Sequence, residues 1–518
     1  MTDQPSMTKR GDLIKFYAAF LPDKPVVICG EHRLTWSELY RRGRALAQSL
    51  YELGLRPGDR AAVMIYNLPE FWEISVALSL IGVGSVQIGY RNKAPEIEYI
   101  VGNSESRCLL FHRDFAERIL PHKQQYTSLL PDGFICIGKT SLEGALDYEK
   151  LMEDPPPVDL DNLPEIQGQR MIYTSGTTGK PKGAFRTNLE RGAEFIVHLV
   201  QQFKYTSDEV HLVACPLYHS APIAFSGAAF MLGGTLVLMP RYDTQEFLET
   251  ISRHKVTSAF VVPTILDSLL QAPDEVTADL DLESLRTLIC GAAPLFPRIK
   301  LGIMDRFGPV LYEFYGSTET GVNTIITPEE IREKPNSVGR PFPDNELVIF
   351  DDEGNEVPDG ERGELYIYNS FLMEGYYKNE KATRECLRGK YMTVGDIAIR
   401  DKDGHFYIVD RKKDMIIRGG ANIYPAEIED VLHGIESIRD VAVLGKPDTH
   451  WGEIVAAFVV PASGKQIDEA AIIEYCNERL ASYKIPEIII SRDEIPRNPQ
   501  GKILKRKLRE ELEKGETE

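Results

Sequence analysis

Short apolar runs of strand length are repeatedly followed by segments with helical spacing, and this alternation limits the chain to folds built on parallel sheets covered by helices. Ala61-Ala62-Val63-Met64-Ile65 precedes a helical pattern over 70–81, Ser85-Val86-Gln87-Ile88 precedes another over 94–103, and Cys108-Leu109-Leu110-Phe111 forms a further short run. The pattern restarts at 209–214 before a helix near 223–231, continues with 235–239 before 244–254, and resumes at 258–262, which predicts a second α/β half. From about Val338 the texture changes to short strands and turns, such as Leu347-Val348-Ile349-Phe350 and Gly363-Glu364-Leu365-Tyr366-Ile367-Tyr368, so a β-rich segment is expected to close the large body.

At 518 residues the chain exceeds one ordinary core, since domains run to about 100–200 residues. A boundary is read in Val409-Asp410-Arg411-Lys412-Lys413-Asp414, where five consecutive charges separate apolar strands. It divides a large N-terminal domain, 1–410, from a small α+β domain, 411–518. The end, 502–514, alternates charges at helical spacing and is expected to be exposed.

With 43% hydrophobic and 26% charged residues the composition is that of a soluble globular protein. The formal net charge of −19 argues against a nucleic-acid binder, and any phosphate site has to be locally basic. Seven scattered cysteines form no C-x-x-C pair, which suggests neither a zinc knuckle nor a disulfide scaffold and accords with a reducing compartment. No secretory signal is visible, so a cytoplasmic location is expected. The most apolar stretch, 74–88, is interrupted by serines and glycines and is too short to span a bilayer; it reads as buried core.

The run Tyr173-Thr174-Ser175-Gly176-Thr177-Thr178-Gly179-Lys180-Pro181-Lys182-Gly183 packs four Ser and Thr hydroxyls, three glycines and two lysines into eleven residues. Glycines let backbone N–H groups approach an anion, hydroxyls donate further hydrogen bonds and lysines supply charge, so the loop suits phosphate. It is not a Walker loop, because Gly176 and Gly179 are too close and Pro181 follows Lys180. Its composition alone would equally suit a polar turn.

Three further motifs follow in order: Tyr315-Gly316-Ser317-Thr318-Glu319, Thr393-Val394-Gly395-Asp396 and Asn498-Pro499-Gln500-Gly501-Lys502. Together the four resemble the acyl-adenylate-forming superfamily of acyl-CoA synthetases, luciferases and peptide-synthetase adenylation domains, over nearly the whole chain. The resemblance implies a carboxylic acid:CoA ligase. A carboxylate attacks the α-phosphate of ATP to give acyl-AMP and pyrophosphate, and the thiol of coenzyme A then displaces AMP.

By the same resemblance Thr174, Ser175, Gly176, Thr177, Thr178, Gly179, Lys180 and Lys182 hold the phosphates, Glu319 is the Mg²⁺ ligand, and Thr318 hydrogen-bonds the α-phosphate. Tyr315 and Gly316 meet adenine, Asp396 accepts the ribose hydroxyls, and Arg411 supports ribose or phosphate. Lys502 is expected to join the substrate carboxylate to the α-phosphate, the charge there suiting two anions forced together. Lys413 matches the hinge about which the small domain turns between half-reactions, after which Gly419, Gly420 and Ala421 face the pantetheine arm. Glu427 has a structural role.

Departures from the pattern are Asn188, where relatives commonly carry histidine, read here as a helix N-cap, and the altered neighbours of Asp396. The acyl pocket is expected from His219, Ile223, Gly291, Ala292, Ala293 and Val322. Where amino-acid-activating relatives place an aspartate, this chain has Ala221-Pro222-Ile223-Ala224-Phe225, so the acyl group is expected to be uncharged and apolar: a fatty, aryl, alicyclic or steroid acid. Alternatives are an acyl-AMP ligase that loads a carrier protein and a non-catalytic nucleotide-binding protein of the same fold. A homodimer would accord with the chain, though nothing in it requires one.

Overall fold

The strands foreseen from apolar runs are buried on both faces, as parallel strands covered by helices must be. The computed structural model of the chain describes residues 11–138, 142–166, 168–174, 181–187, 189–419, 421–497 and 502–514. Among the described residues the large body holds an eight-stranded and a nine-stranded sheet. In the first, Arg60–Met64 lies between Gly84–Gln87 and Cys108–His112, and Arg170–Thr174 adds parallel to Gly84–Gln87. That strand then turns back antiparallel as Lys182–Arg186. In the second, Val210–Val213, Thr235–Leu238, Ser258–Val261, Thr287–Cys290 and Leu311–Ser317 run parallel, and Gly321–Ile326 closes antiparallel on the last.

The main core lies between these sheets, where the helices Trp36–Glu52, Pro69–Leu80 and Ser220–Met231 contribute Trp36, Leu46, Trp72, Ile74, Phe225 and Phe230. Local signals set the helix starts. Thr35 and Glu38 form a capping box at Trp36–Glu52, and Asp243 accepts the backbone N–H of Glu246 at 2.9 Å to start Thr244–His254. The apolar stretch 74–88 is shared between the buried helix Pro69–Leu80 and the strand Gly84–Gln87. No helix of the described residues is long and apolar enough to cross a membrane.

Residues 346–411 form a six-stranded antiparallel sheet. Phe406–Arg411 still pairs within it, whereas Ile416–Arg418 belongs to a different, five-stranded sheet with Ala421–Ile423, Ile438–Asp448 and Gly452–Pro461. The chain therefore changes sheet between Arg411 and Ile416. Asp410 spans the change, since its Oδ2 accepts the N–H of Ala426 at 2.9 Å in the first turn of Pro425–His433. The rings of Phe296 and His433 meet across the two bodies with centroids 4.0 Å apart.

One expectation is corrected. The C-terminal segment forms the helix Lys505–Lys514, but it is not an exposed charged helix, because Leu508 and Leu512 are buried against Ala442, Leu444, Ala456 and Phe458. Two leucines four apart share one face, and their stripe is hidden in a composition dominated by charge. Lys505 meets Glu429 at 3.0 Å and Arg509 meets Asp414 at 2.7 Å, so the charges flank the packed face. Replacing Leu508, fully buried, by alanine should cost about 2–5 kcal/mol in urea unfolding of the full chain. Alanine at the exposed Lys507 should change stability by about 0.5 kcal/mol at most.

Candidate active site

The hairpin of Leu311–Ser317 and Gly321–Ile326 carries Thr318 and Glu319 at its turn. The turn is tight: a Cβ on Gly316 would stand 2.1 Å from the carbonyl oxygen of Gly321, and Gly321 itself has φ 76°, so glycine is required at both positions. Glu319 is buried, and its Oε1 accepts from the Thr174 hydroxyl at 3.2 Å and from the Tyr376 hydroxyl at 2.9 Å. Burial and the neighbouring Glu319 carboxylate hold the Tyr376 phenol far above its ordinary pKa. Arg186 fixes the same turn from below, donating to the carbonyls of Thr318 at 2.6 Å, Glu319 at 3.1 Å and Phe371 at 2.8 Å. Burial pushes the Arg186 guanidinium down to about 10. The Thr318 hydroxyl lies 3.1 Å from that of Ser220, at the start of Ser220–Met231.

Ser175, Gly176, Thr177, Thr178, Gly179 and Lys180 lie outside the described residues. Thr174 and Lys182 pair across the strands that flank the loop, which brings its two ends together beside Glu319. The Lys182 ammonium sits 5.0 Å from the centre of the Tyr376 ring, a cation–π approach. Among the described residues there is no group of three or more His, Cys, Asp or Glu side chains that could hold a metal ion.

A second constellation forms around Asp396. Its Oδ2 accepts the Tyr315 hydroxyl at 2.6 Å and its Oδ1 accepts Nε of Arg411 at 2.9 Å. Burial opposes charge on Arg411, yet Asp396 holds its guanidinium above the ordinary range. Lys502 comes from the small body to the same place, where burial, assisted by the positive charges of Arg411 and Lys413, lowers its ammonium to about 8. Lys413 is lowered by burial and by Arg411. Four motifs far apart in sequence thus converge on one region.

Lys502, Arg411, Glu319, Thr318, Gly316 and Lys182 line one cavity of about 1250 Å³, whose other walls include Phe71, Trp72, Phe225 and Phe230. His219, Ile223, Ala292 and Val322, expected around an acyl group, also line it. Burial drives His219 down to about 3, so its imidazole is neutral over the physiological range. Gly291 and Ala293 stay out of the lining. Gly291 stands behind Phe314, whose ring would lie 2.6 Å from an added Cβ, so its small size seats a lining aromatic. Gly419 and Ala421 are likewise outside the cavity. Gly419 donates its N–H to the carbonyl of Trp451 at 2.7 Å, beside the half-exposed indole. Gly420 and Asn188 lie outside the described residues. Glu427 pairs with Lys484 at 2.6 Å.

Sequence reading missed Arg186 and Tyr376. Arg186 sits beside the phosphate loop in chain order and Tyr376 lies far from it, in Gly375-Tyr376-Tyr377, with no spacing that singles it out. Both are found only once the antiparallel pairing of Gly375–Tyr376 with Lys182–Arg186 is known.

Family models described as AMP-binding enzyme and AMP-binding enzyme C-terminal domain match residues 16–377 and 427–502. A feruloyl-CoA synthase of Amycolatopsis sp is 35% identical over 95% of this chain and 96% of its own. A long-chain-fatty-acid–CoA ligase of Mycobacterium tuberculosis is 35% identical over 92% of this chain and 93% of its own. The structure of the o-succinylbenzoate CoA synthetase of Bacillus subtilis, in complex with its acyl-adenylate intermediate, superposes with a TM-score of 0.82 at 28% identity, covering 96% of this chain and 98% of that one.

Asp396 ties a phenol to a guanidinium where little water reaches, so Asp396→Ala should destabilise the protein by about 1–3 kcal/mol and Tyr315→Phe by about 0.5–1.5 kcal/mol. Denaturant titration of both and of the double variant should give a combined loss smaller than the sum.

Proposed function

We propose that this chain, which belongs to the AMP-binding enzyme family, is an ATP-dependent carboxylic acid:CoA ligase that converts an acid with an apolar body to its acyl-AMP and then to its CoA thioester. The observation that carries the reading is the single cavity, in which Lys502, Arg411 and Glu319 share one space with a wall of Phe71, Trp72, Phe225 and Phe230. Phosphate chemistry and apolar binding are thereby contiguous. The names of the three relatives described above, each an acid:CoA ligase or synthetase, support the same conclusion.

In the first half-reaction an anionic carboxylate approaches an anionic phosphate, so catalysis consists of positioning and charge stabilisation. Lys502 supplies a cation to both anions. Thr318 offers a hydroxyl to the α-phosphate, and Lys182 with the loop 174–180 holds the phosphates beyond it. Glu319 fits Mg²⁺: two hydroxyls occupy Oε1 and the residue lines the cavity, so Oε2 remains for a cation whose other ligands are water and phosphate oxygens. Mg²⁺ bound there would neutralise the departing pyrophosphate. Asp396 and Arg411 receive the ribose.

The bodies 1–410 and 411–518 act as two domains, the small one turning about Lys413 to exchange Lys502 for the strands around Gly419 and Ala421, where CoA enters. The free cysteines among the described residues accord with a reducing, cytoplasmic setting.

Lys502→Ala should abolish carboxylate-dependent exchange of labelled pyrophosphate into ATP while leaving the unfolding curve intact; retained exchange would remove Lys502 from the chemistry. Since Lys502 titrates near 8 and acts as a cation, exchange in terms of kcat/KM should fall as pH rises through about 8. Lys502→Arg should lack that limb in whatever activity it keeps. Among the described residues the N–H of Lys413 makes no backbone hydrogen bond, so Lys413→Pro should act by fixing φ and restricting Lys412. It should slow thioester formation at least about tenfold more than exchange, and equal losses would argue against a hinge there. Pyrophosphate release without CoA turnover across a panel of fatty, aryl, alicyclic and steroid acids would redirect the second step to a carrier protein.

A further inference from the structure

Arg170 opens the strand Arg170–Thr174, whose other end meets Glu319. It is enclosed by protein yet keeps accessible surface, because that surface faces the cavity it lines. Burial lowers its guanidinium, with no carboxylate opposing the shift. Among the described residues no carboxylate or carbonyl accepts from the side chain. Its neighbour across the strand pair is Arg186, in register with it, and the two cations act against each other. Arg186 has three backbone carbonyls to receive its donors, whereas Arg170 has none among the described residues. A guanidinium beside a like charge, with no protein acceptor among the described residues, directs its donors into the cavity, and an anion there would receive them and offset the repulsion.

The surroundings are polar at the same point. The register Val86↔Met171 and Gln87↔Ile172 puts Ser85 and Gln87 on the face that carries Arg170, and both line the cavity. Ser75 and Ser79 of the helix Pro69–Leu80 line it too. Four residue steps of strand separate Arg170 from Thr174, a distance of about 13 Å, so this polar end lies far from the reacting groups. Ile172 stands between them in the strand, and Phe71 and Trp72 line the same cavity.

We propose that Arg170 binds an oxyanion at the far end of the acyl chain, so that the preferred substrate is an acid with an apolar body and a second, distal carboxylate. The inference rests on the ligase reading above and deepens it: an apolar acyl body is kept, and its terminus is charged. Ser85 and Gln87 donate the remaining hydrogen bonds to that carboxylate. The planar fork of Arg170 matches its two oxygens.

The test uses the full-length protein and pyrophosphate exchange, with matched sets of straight-chain and aryl acids of increasing length. Each set holds a methyl-terminated acid, the corresponding dicarboxylic acid, and the half methyl ester of that diacid, which keeps the length and removes the distal charge. At the best length the diacid should exceed both partners in kcat/KM by about tenfold or more. Arg170→Met should reverse that ratio and Arg170→Lys should keep part of it. Equal use of diacid and half ester by the wild type would overturn the proposal without any variant, and so would an undiminished diacid preference in Arg170→Met. Should that variant fail to fold, the half ester and Arg170→Lys decide. Exchange confined to methyl-terminated acids would leave the ligase standing and overturn the role of Arg170 alone. Exchange with no acid would remove the ligase reading and this inference with it.

Discussion

The buried carboxylate of Glu319 joins the two sheets of the large body. Thr174 comes from the eight-stranded sheet, Glu319 from the hairpin that ends the nine-stranded one, and Tyr376 from a two-residue strand that reaches back to pair beside Lys182. A carboxylate removed from water requires donors on its oxygens, and here each donor belongs to a different stretch of chain. Arg186 repeats the constraint on the backbone, since its guanidinium binds the carbonyls of Thr318 and Glu319. Satisfying one charge therefore sets how the sheets lie, and the cavity between them inherits its shape.

Such junctions explain what could be read from the residues and what could not. The strand–helix alternation over 61–111 and 209–262 carries its own period, and the observed elements Arg60–Met64, Pro69–Leu80, Thr235–Leu238 and Thr244–His254 fall where that period puts them. Residues such as Glu319, Asp396 and Lys502 were singled out because four motifs in order resemble a known family; composition alone would have placed Asp396 in a turn and Lys502 in an exposed tail. Arg186 and Tyr376 were not, since their importance comes from a pairing of strands nearly two hundred residues apart. The C-terminal helix was misread for a related reason. Charge count describes the average of its faces, whereas Leu508 and Leu512 act through one.

Net charge teaches the same lesson about averages. The chain carries −19 overall, yet the region where Lys502 enters is locally cationic, with Arg411 and Lys413 both opposing protonation of Lys502. Asp396 and Asp414 partly offset this, and Asp396 also binds Arg411 and Tyr315. An anion in the cavity would add to the support that Asp396 and Asp414 give Lys502 and so favour the docked position.

In the proposed reaction that charge balance would order the two half-reactions. ATP and a carboxylate bring negative charge to Lys502, which stabilises the docked position while acyl-AMP forms. Adenylation would then join the carboxylate to the α-phosphate as a mixed anhydride while the α–β phosphate bond breaks, and pyrophosphate would carry its charge away with the metal. The anionic charge facing Lys502 falls, the repulsion from Arg411 and Lys413 returns, and the balance shifts toward release of the small body. Nothing beyond the departure of product is needed to bias the turn. Contacts between the bodies include the Phe296–His433 ring pair and the Arg362 guanidinium 5.1 Å from the Tyr424 ring centre. Contacts of that kind contribute on the order of 1 kcal/mol each, which is small enough for a change of one or two charges in a cavity to outweigh.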